Sequence, residues 1–159
     1  MNLRIGMGYD VHRVKAGRPL VLGGVKFKSD WGLEGHSDAD VLSHAVGDAL
    51  LGAAGLGDLG MHFPPGDAKW KDVSSLKLLE HIAAMLREAG ASVVNVDVMM
   101  IAEAPKLSPH RTEICANVAR SLGITADRVS VKATTNETLG AIGRHEGLAA
   151  MAVAMVDRG

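Results

Sequence analysis

Apolar residues occupy every second position at the start of the chain: Leu3, Ile5, Met7 and Tyr9. This two-residue period predicts a β-strand whose apolar side chains form one buried face. The strand continues toward Asp10 and His12, which therefore lie near its end. Residues 26–35 mix polar and apolar side chains around Gly32 and Gly35, and we expect a loop there.

Two of the following segments have the period of amphipathic helices, with apolar residues three or four positions apart. The first covers residues 38–54. Ser37, followed three residues later by Asp40, is similar to a capping box at the start of this helix. The second helix is predicted over residues 76–86 and ends at Gly90, because glycine favours the left-handed conformation that closes a helix.

The rest of the chain continues the alternation of helices and strands. A third helix is predicted with Ser108 as its N-cap, Pro109 as its first residue and Gly123 at its end. Three segments have strand-like patterns: residues 93–102, 129–133 and 148–156. The last of these is almost wholly apolar, so both of its faces should be buried. The order of elements predicts an α/β sandwich, a single domain over residues 1–159 in which helices cover one face of a mixed sheet.

Composition narrows the class of protein. Of 159 residues, 47% are hydrophobic and the formal net charge is −1, so no basic surface favours nucleic acid. No apolar run reaches the ~20 residues of a membrane span, and we expect neither nucleic acid nor membrane as a partner. Cys115 is the single cysteine, which agrees with a cytoplasmic location. Aromatic residues make up only 3% of the chain, and such a poor supply of large side chains suggests oligomerisation.

Candidate metal ligands occur on the first strand and the first helix. Asp10 and His12 project from the same face of the strand, while Val11 between them should point into the core. The helix carries three polar residues four positions apart: Asp40, His44 and Asp48. His44 can complete a three-ligand site with Asp10 and His12, which is the pattern of a catalytic zinc ion with one position open. Taken alone, these residues leave open a solvent-facing strand end and a solvated helix stripe.

Motifs along nearly the whole chain resemble, in order, those of the cyclodiphosphate synthase family. They are Gly8-Tyr9-Asp10-Val11-His12, Gly35-His36-Ser37-Asp38-Ala39-Asp40, Asp48-Ala49-Leu50-Leu51-Gly52-Ala53, Leu56-Gly57-Asp58-Leu59-Gly60, Asn95-Val96-Asp97-Val98, Ala104-Pro105-Lys106, Val131-Lys132-Ala133-Thr134-Thr135, Glu137 and Gly143-Arg144. The resemblance implies intramolecular phosphoryl transfer, in which 4-diphosphocytidyl-2-C-methyl-D-erythritol 2-phosphate cyclises to 2-C-methyl-D-erythritol 2,4-cyclodiphosphate and CMP leaves. This reaction belongs to the non-mevalonate pathway to isoprenoid precursors.

The resemblance also implies two divalent ions. Asp10, His12 and His44 would bind Zn²⁺ or Mn²⁺. Glu137 would hold Mg²⁺ or Mn²⁺ together with the substrate phosphates, with Thr135 beside it in the catalytic set. From the residues alone, Glu137 could equally be a solvated loop acid.

The substrate contacts implied by the resemblance fall into two sets along the sequence. The first set is His36, Ser37, Asp48, Asp58, Leu59, Gly60, Phe63 and Asp67. The second set is Ala102, Pro105, Lys106, Leu107, Ala133, Thr134, Thr135 and Arg144. His36, Ser37 and Asp58 would contact the methylerythritol phosphate half, and the turn at residues 102–107 would form the cytosine pocket.

The family further implies a homotrimer with active sites between subunits and a cavity near Arg144 that accepts an isoprenoid diphosphate. The sequence departs from the family pattern in places. Pro65 replaces a frequent Asp, for which Asp67 could compensate, and the small Ala141 replaces a frequent aromatic residue near the cavity. Two alternatives to the synthase are a nonenzymatic isoprenoid diphosphate-binding trimer and a zinc-dependent phosphohydrolase.

Overall fold

A five-stranded mixed sheet forms the centre of the computed structural model, which describes residues 1–159. The seven strands are β1 (Leu3–Ala16), β2 (Leu20–Leu22), β3 (Val25–Phe27), β4 (Trp31–Leu33), β5 (Ala91–Ile101), β6 (Val129–Thr134) and β7 (Gly147–Arg158). The order in the sheet is β4-β1-β7-β5-β6, and only β5 and β6 pair in parallel. β2 and β3 form a separate hairpin. The predicted mixed sheet is confirmed, but the expected loop at residues 26–35 is wrong, because it contains β4 and most of β3.

Five α-helices accompany the sheet: α1 (Val41–Ala54), α2 (Leu59–His62), α3 (Ser75–Glu88), α4 (Arg111–Leu122) and α5 (Gly140–Gly143). α1 packs on β1, β7 and β5, while α3 packs on β5 and α4 on β6. Single 3₁₀ turns occupy Ala68–Trp70, Ser108–His110 and Ala126–Arg128. The predicted N-cap at Ser108 is wrong, since a 3₁₀ turn precedes α4 and Ser108 makes no capping bond. None of the helices is both long and apolar enough to cross a membrane.

The helix-facing side of β1 is built from glycines rather than from its large apolar residues. Gly6 and Gly8 are buried, whereas Ile5 and Met7 are 67% and 65% exposed. A Cβ atom on Gly8 would lie 1.9 Å from the backbone oxygen of Ala45 in α1. The missing side chains therefore let α1 lie directly on β1. The predicted buried face of this strand is wrong, and Val11 is exposed rather than in the core.

The other side of the sheet presents an apolar surface, which we call the outer sheet face. Its members are Leu3, Ile5, Met7, Tyr9 and Val11 of β1 with Met151 and Val153 of β7. Met7 pairs with Val153 and Tyr9 with Met151 across the two strands, so these side chains share one face. The prediction that residues 148–156 are buried on both faces is therefore wrong for the single chain.

Candidate active site

Three ligand atoms converge where β1 meets α1. Oδ2 of Asp10 lies 2.9 Å from Nε2 of His12 and 3.0 Å from Nδ1 of His44, and the two nitrogens are 3.1 Å apart. The strand supplies Asp10 and His12 from one face, as predicted, and the close approach at Gly8 brings His44 to them. Asp10, His12 and His44 thus form a site able to bind a divalent metal ion.

The second nitrogen of the His12 ring supports this assignment. Nδ1 of His12 lies 2.6 Å from the backbone oxygen of Glu34. A carbonyl oxygen only accepts, so Nδ1 of His12 donates to it. Nε2 is then the nitrogen that faces Asp10 and His44, and it is available to a metal ion once it has lost its hydrogen. Ligands of a tetrahedral zinc ion lie roughly 3.3 Å apart when each bond is about 2.0–2.1 Å. The three atoms therefore fit an ion after shifts of a few tenths of an ångström.

The electrostatics of the site also favour a positive charge between these atoms. Burial raises the pKa of the Asp10 carboxyl, but hydrogen bonds and charges from His12 and His44 outweigh burial and hold that pKa well below its usual range. Burial lowers the pKa of His12, and the hydrogen bond and charge of Asp10 more than reverse this effect, so the pKa lies above its usual value. The carboxylate is thus kept ionised and available to a cation.

The ligands line one wall of a pocket of about 270 Å³. Its walls contain most of the first predicted contact set: His36, Ser37, Asp48, Leu59, Gly60 and Phe63. Trp70 and Leu78 also line the pocket, and no sequence pattern pointed to either of them. Asp48 accepts a hydrogen bond from the backbone of Leu59 at 2.8 Å, which joins α1 to the start of α2.

Two predicted carboxylates of the first set lie outside this lining. Asp58 accepts from the backbone nitrogen of Met61 and caps α2. Asp67 accepts from the backbone nitrogen of Lys69 and caps the 3₁₀ turn, while Pro65 lines the pocket. The structure therefore gives Asp67 a capping partner and does not bring its carboxylate into the pocket in place of the missing acid.

Asp40 departs from the predicted polar line of α1. It is wholly buried, and it is the N-cap of α1 instead of a partner of Ser37 in a capping box. Its oxygens accept from the backbone nitrogens of Gly23 and Gly24 and from both the nitrogen and the hydroxyl of Ser43. Burial and the nearby charge of Asp38 raise the pKa of Asp40 above its usual value, although the backbone donors oppose this shift. Asp40 thus holds the β2–β3 hairpin to the helix that carries His44.

A second pocket of about 270 Å³ opens where β5 and β6 end. It contains nearly all of the second predicted contact set: Ala102, Pro105, Lys106, Leu107, Ala133, Thr134 and Thr135. Arg111 of α4 also lines it. No sequence pattern pointed to Arg111, because a basic residue at the start of a helix does not by itself indicate a binding site. The two pockets share no lining residue.

The turn after β6 places Glu137 beside this second pocket. Glu137 and Thr138 adopt positive φ angles of 51° and 61°. Thr135 Oγ1 donates to the Glu137 carboxylate at 3.4 Å and accepts from its backbone nitrogen at 3.2 Å. Glu103 accepts from the backbone nitrogens of Asn136 and Thr138. The carboxylate of Glu103, to which no sequence pattern pointed, therefore shapes the turn that presents Glu137.

Arg144 lies in neither pocket. It is exposed, and its Nε donates to the carboxylate of Glu146 at 2.6 Å. Both residues belong to the segment between α5 and β7, next to Ala141. The remaining predicted contact thus lies away from the other members of its set.

Residues 3–157 match the YgbB family. The chain belongs to this family. It is 56% identical over 155 residues to the 2-C-methyl-D-erythritol 2,4-cyclodiphosphate synthase of Dehalococcoides mccartyi strain 195, covering 98% of this chain and 99% of that protein. It is 59% identical over 154 residues to the protein of the same name from Desulfosudis oleivorans, covering 97% and 92%.

Solved structures agree with this assignment. IspF of Plasmodium falciparum in complex with CDP superposes with a TM-score of 0.87 at 34% identity, over 99% of this chain and 97% of that one. The bifunctional IspDF of Campylobacter jejuni superposes with a TM-score of 0.95 at 41% identity. That match covers 99% of this chain but only 43% of the longer protein. The fold is therefore that of the cyclodiphosphate synthases.

Proposed function

We propose that this YgbB-family protein is a phosphorus–oxygen lyase that cyclises 4-diphosphocytidyl-2-C-methyl-D-erythritol 2-phosphate and releases CMP. The 2-phosphate oxygen attacks the β-phosphorus, and the bond from that phosphorus to the CMP oxygen breaks. The product is 2-C-methyl-D-erythritol 2,4-cyclodiphosphate. The observation that carries the proposal is the convergence of Asp10, His12 and His44 on one pocket, in a chain that matches named synthases over nearly its full length.

The first pocket is suited to the methylerythritol phosphate half of the substrate. Asp10, His12 and His44 would hold a divalent ion, Zn²⁺ or Mn²⁺, whose charge neutralises phosphate oxygens. His36 and Ser37 lie in the same wall and would donate to the 2-phosphate. Asp58 is exposed beside α2 and would accept from the sugar hydroxyls.

The second pocket is suited to the nucleotide half. The turn at residues 102–107 would offer backbone groups to cytosine. Lys106 and Arg111 line the same pocket and would bring two cations near the diphosphate. Thr135 would donate to a phosphate oxygen. Glu137 would hold Mg²⁺ or Mn²⁺ against the diphosphate, as the resemblance to the family implies. These residues bind and align the two reacting phosphates, and phosphoryl transfer is accelerated mainly by such positioning and charge neutralisation.

The active form that we propose is a homotrimer with each site between two subunits. Two observations support it. The metal-binding pocket and the nucleotide pocket share no residue within one chain. The outer sheet face leaves Ile5, Met7 and Val153 largely exposed, and contiguous apolar surface of this kind marks an interface.

An isoprenoid diphosphate is the further partner that we propose for the space between the subunits. Its diphosphate would have to compete with Glu146 for Arg144, because these two side chains already form an ion pair. The small side chain of Ala141 borders a surface pocket of about 230 Å³ with Ile142 and Val11, which leaves room for an apolar chain.

Product analysis tests the proposed reaction directly. Purified protein with Zn²⁺ and Mg²⁺ is incubated with the diphosphocytidyl substrate, and the products are identified by phosphorus NMR. CMP and a cyclic diphosphate should form in equal amounts without inorganic phosphate. Release of inorganic phosphate would favour the phosphohydrolase. Absence of turnover together with tight binding of an isoprenoid diphosphate would favour the nonenzymatic binding protein.

A further inference from the structure

Ser75 lies between His44 and the carboxylate of Asp38, a residue that does not line the metal-binding pocket. Its hydroxyl oxygen is 2.9 Å from Nε2 of His44 and donates to Oδ1 of Asp38 at 2.5 Å. Ser75 is the first residue of α3 and is 1% exposed. The contact therefore joins α3 to the imidazole that contributes Nδ1 to the candidate metal site.

The direction of these hydrogen bonds determines which nitrogen of His44 carries the hydrogen. A serine hydroxyl has one hydrogen, and the carboxylate of Asp38 accepts it. The hydroxyl oxygen can then only accept from Nε2 of His44, so Nε2 carries a hydrogen. Nδ1, which lies 3.0 Å from Oδ2 of Asp10, is then the nitrogen whose lone pair a metal ion can take. Ser37 Oγ also lies 3.2 Å from Nε2 but accepts from the backbone nitrogen of Ala39, and it is farther away than Ser75.

The carboxylate of Asp38 is itself held in place. Oδ2 accepts from the backbone nitrogen of Ser75 at 3.0 Å, and Oδ1 accepts from that of Asp40 at 3.2 Å. Both donors are fixed by helix starts, because Ser75 begins α3 and Asp40 caps α1. These backbone hydrogen bonds hold Asp38 and Ser75 in place, so the Ser75 hydroxyl oxygen is directed at Nε2 of His44 without any bound ligand.

We propose that Asp38 and Ser75 are positioning residues that fix the tautomer and ring orientation of His44 for metal binding. They do for His44 what the backbone oxygen of Glu34 does for His12. The inference rests on the metal-binding role proposed above for Asp10, His12 and His44. Partners of this kind typically change metal affinity by about 10–100-fold when they are removed.

Zinc affinity measured by competition with a chelator tests this role without relying on turnover. Ser75→Ala should bind zinc about 10–100-fold more weakly than the unaltered protein. Asp38→Asn should also weaken zinc binding. Both oxygens of Asp38 accept hydrogen bonds from Ser75, one from the hydroxyl and one from the backbone nitrogen, and asparagine replaces one of these acceptors with an NH₂ donor. Ser121→Ala is the matched control, since Ser121 is a buried serine of α4, and its zinc affinity should not change.

The tautomer itself provides a second measurement that a general loss of stability would not mimic. Two-bond proton–nitrogen NMR correlations of the metal-free protein should show a hydrogen on Nε2 of His44. Ser75→Ala should lower the fraction that carries it and increase the fraction with hydrogen only on Nδ1, which faces the acceptor Oδ2 of Asp10 at 3.0 Å. The proposal is overturned if Ser75→Ala and Asp38→Asn keep both the zinc affinity and the His44 tautomer of the unaltered protein. Zinc binding that responds to Ser75→Ala, in a protein without cyclase turnover, would defeat the proposed reaction and leave this inference standing.

Discussion

Replacement of His44 should abolish metal binding while the protein still folds. Its side chain is half-buried and borders the pocket, whereas its neighbours Ala45 and Val46 lie wholly in the core. We expect His44→Ala to lose the bound zinc and to lower kcat/KM by about 100-fold or more, because the site loses one of three ligands. Zinc content measured by atomic absorption and the helical circular dichroism signal check the two parts.

His110→Ala is the control for this variant. His110 packs edge-on against Phe27 and lies outside both pockets, so the zinc content should stay at one ion per chain. A His44→Ala protein that retains its zinc and its turnover would show that the three-ligand site is wrong.

Single residues of the site could be predicted from sequence where chemistry and spacing agree. Asp10 and His12 lie two apart on a strand, and His44 lies on the polar stripe of the first predicted helix, between two of the family motifs. Their convergence could therefore be predicted. Asp40 has the same helical spacing from His44 as Asp48, yet it is buried. Helical period alone cannot distinguish a solvated acid from one that caps the helix and accepts from a neighbouring hairpin.

At the scale of elements, the packing of α1 on β1 decides whether the ligands meet. We expect Gly8→Ala to destabilise the fold by about 3 kcal/mol or more, because its Cβ would overlap the α1 backbone and cannot be accommodated by a side-chain shift. The displaced helix would carry His44 away from Asp10, so zinc affinity should fall as well. Urea unfolding and chelator competition measure the two effects.

Gly52→Ala, a substitution in α1 itself, is the matched control for Gly8→Ala. A Cβ atom on Gly52 meets nothing within 4 Å, and alanine is the better helix former by about 1 kcal/mol. This variant should be as stable as the unaltered protein or slightly more so, with unchanged zinc affinity. Equal tolerance of alanine at both positions would contradict the role assigned to the close approach at Gly8.

The sequence pattern could not predict which face of β1 is buried, because that choice depends on the close packing of α1 against Gly6 and Gly8. Alternation along β1 correctly predicts a strand, but it does not say which face meets the helices. In most strands the large apolar residues face the core of the same chain. Here Gly6 and Gly8 face α1 because the helix backbone needs their space, and Ile5 and Met7 are left on the other side. On β7 as well, Met151 and Val153 lie on that outer side.

For the whole molecule, the outer sheet face should control assembly. Val153 lies on β7, pairs with Met7 of β1 and is 46% exposed in the single chain. We expect Val153→Asp to convert the proposed trimer to monomers, because a charge would be buried in an apolar interface. Light scattering coupled to size-exclusion chromatography measures the mass. Met61→Asp serves as the control, since Met61 is 69% exposed on α2 and should leave the mass unchanged.

A shared active site makes a stronger prediction, because two inactive variants should restore activity in each other. His12→Ala removes a ligand from the metal half, and Thr135→Trp fills the nucleotide pocket with a large side chain. Each variant alone should be inactive. When equal amounts are unfolded and refolded together, the subunits should mix at random in the proposed cyclic trimers. Each interface joins different patches of neighbouring subunits, so about one in four should combine two intact halves.

Activity of the mixture should therefore rise toward about a quarter of that of the unaltered protein. Native mass spectrometry with an isotope-labelled partner verifies that mixed trimers form. Refolding each variant alone under the same conditions controls for activity gained by refolding itself. Mixed trimers that remain as inactive as either parent would mean that each site is built within one chain. In that case one substrate molecule would have to extend from the metal pocket to the nucleotide pocket of the same chain, across β7, the strand that separates β1 from β5 in the sheet.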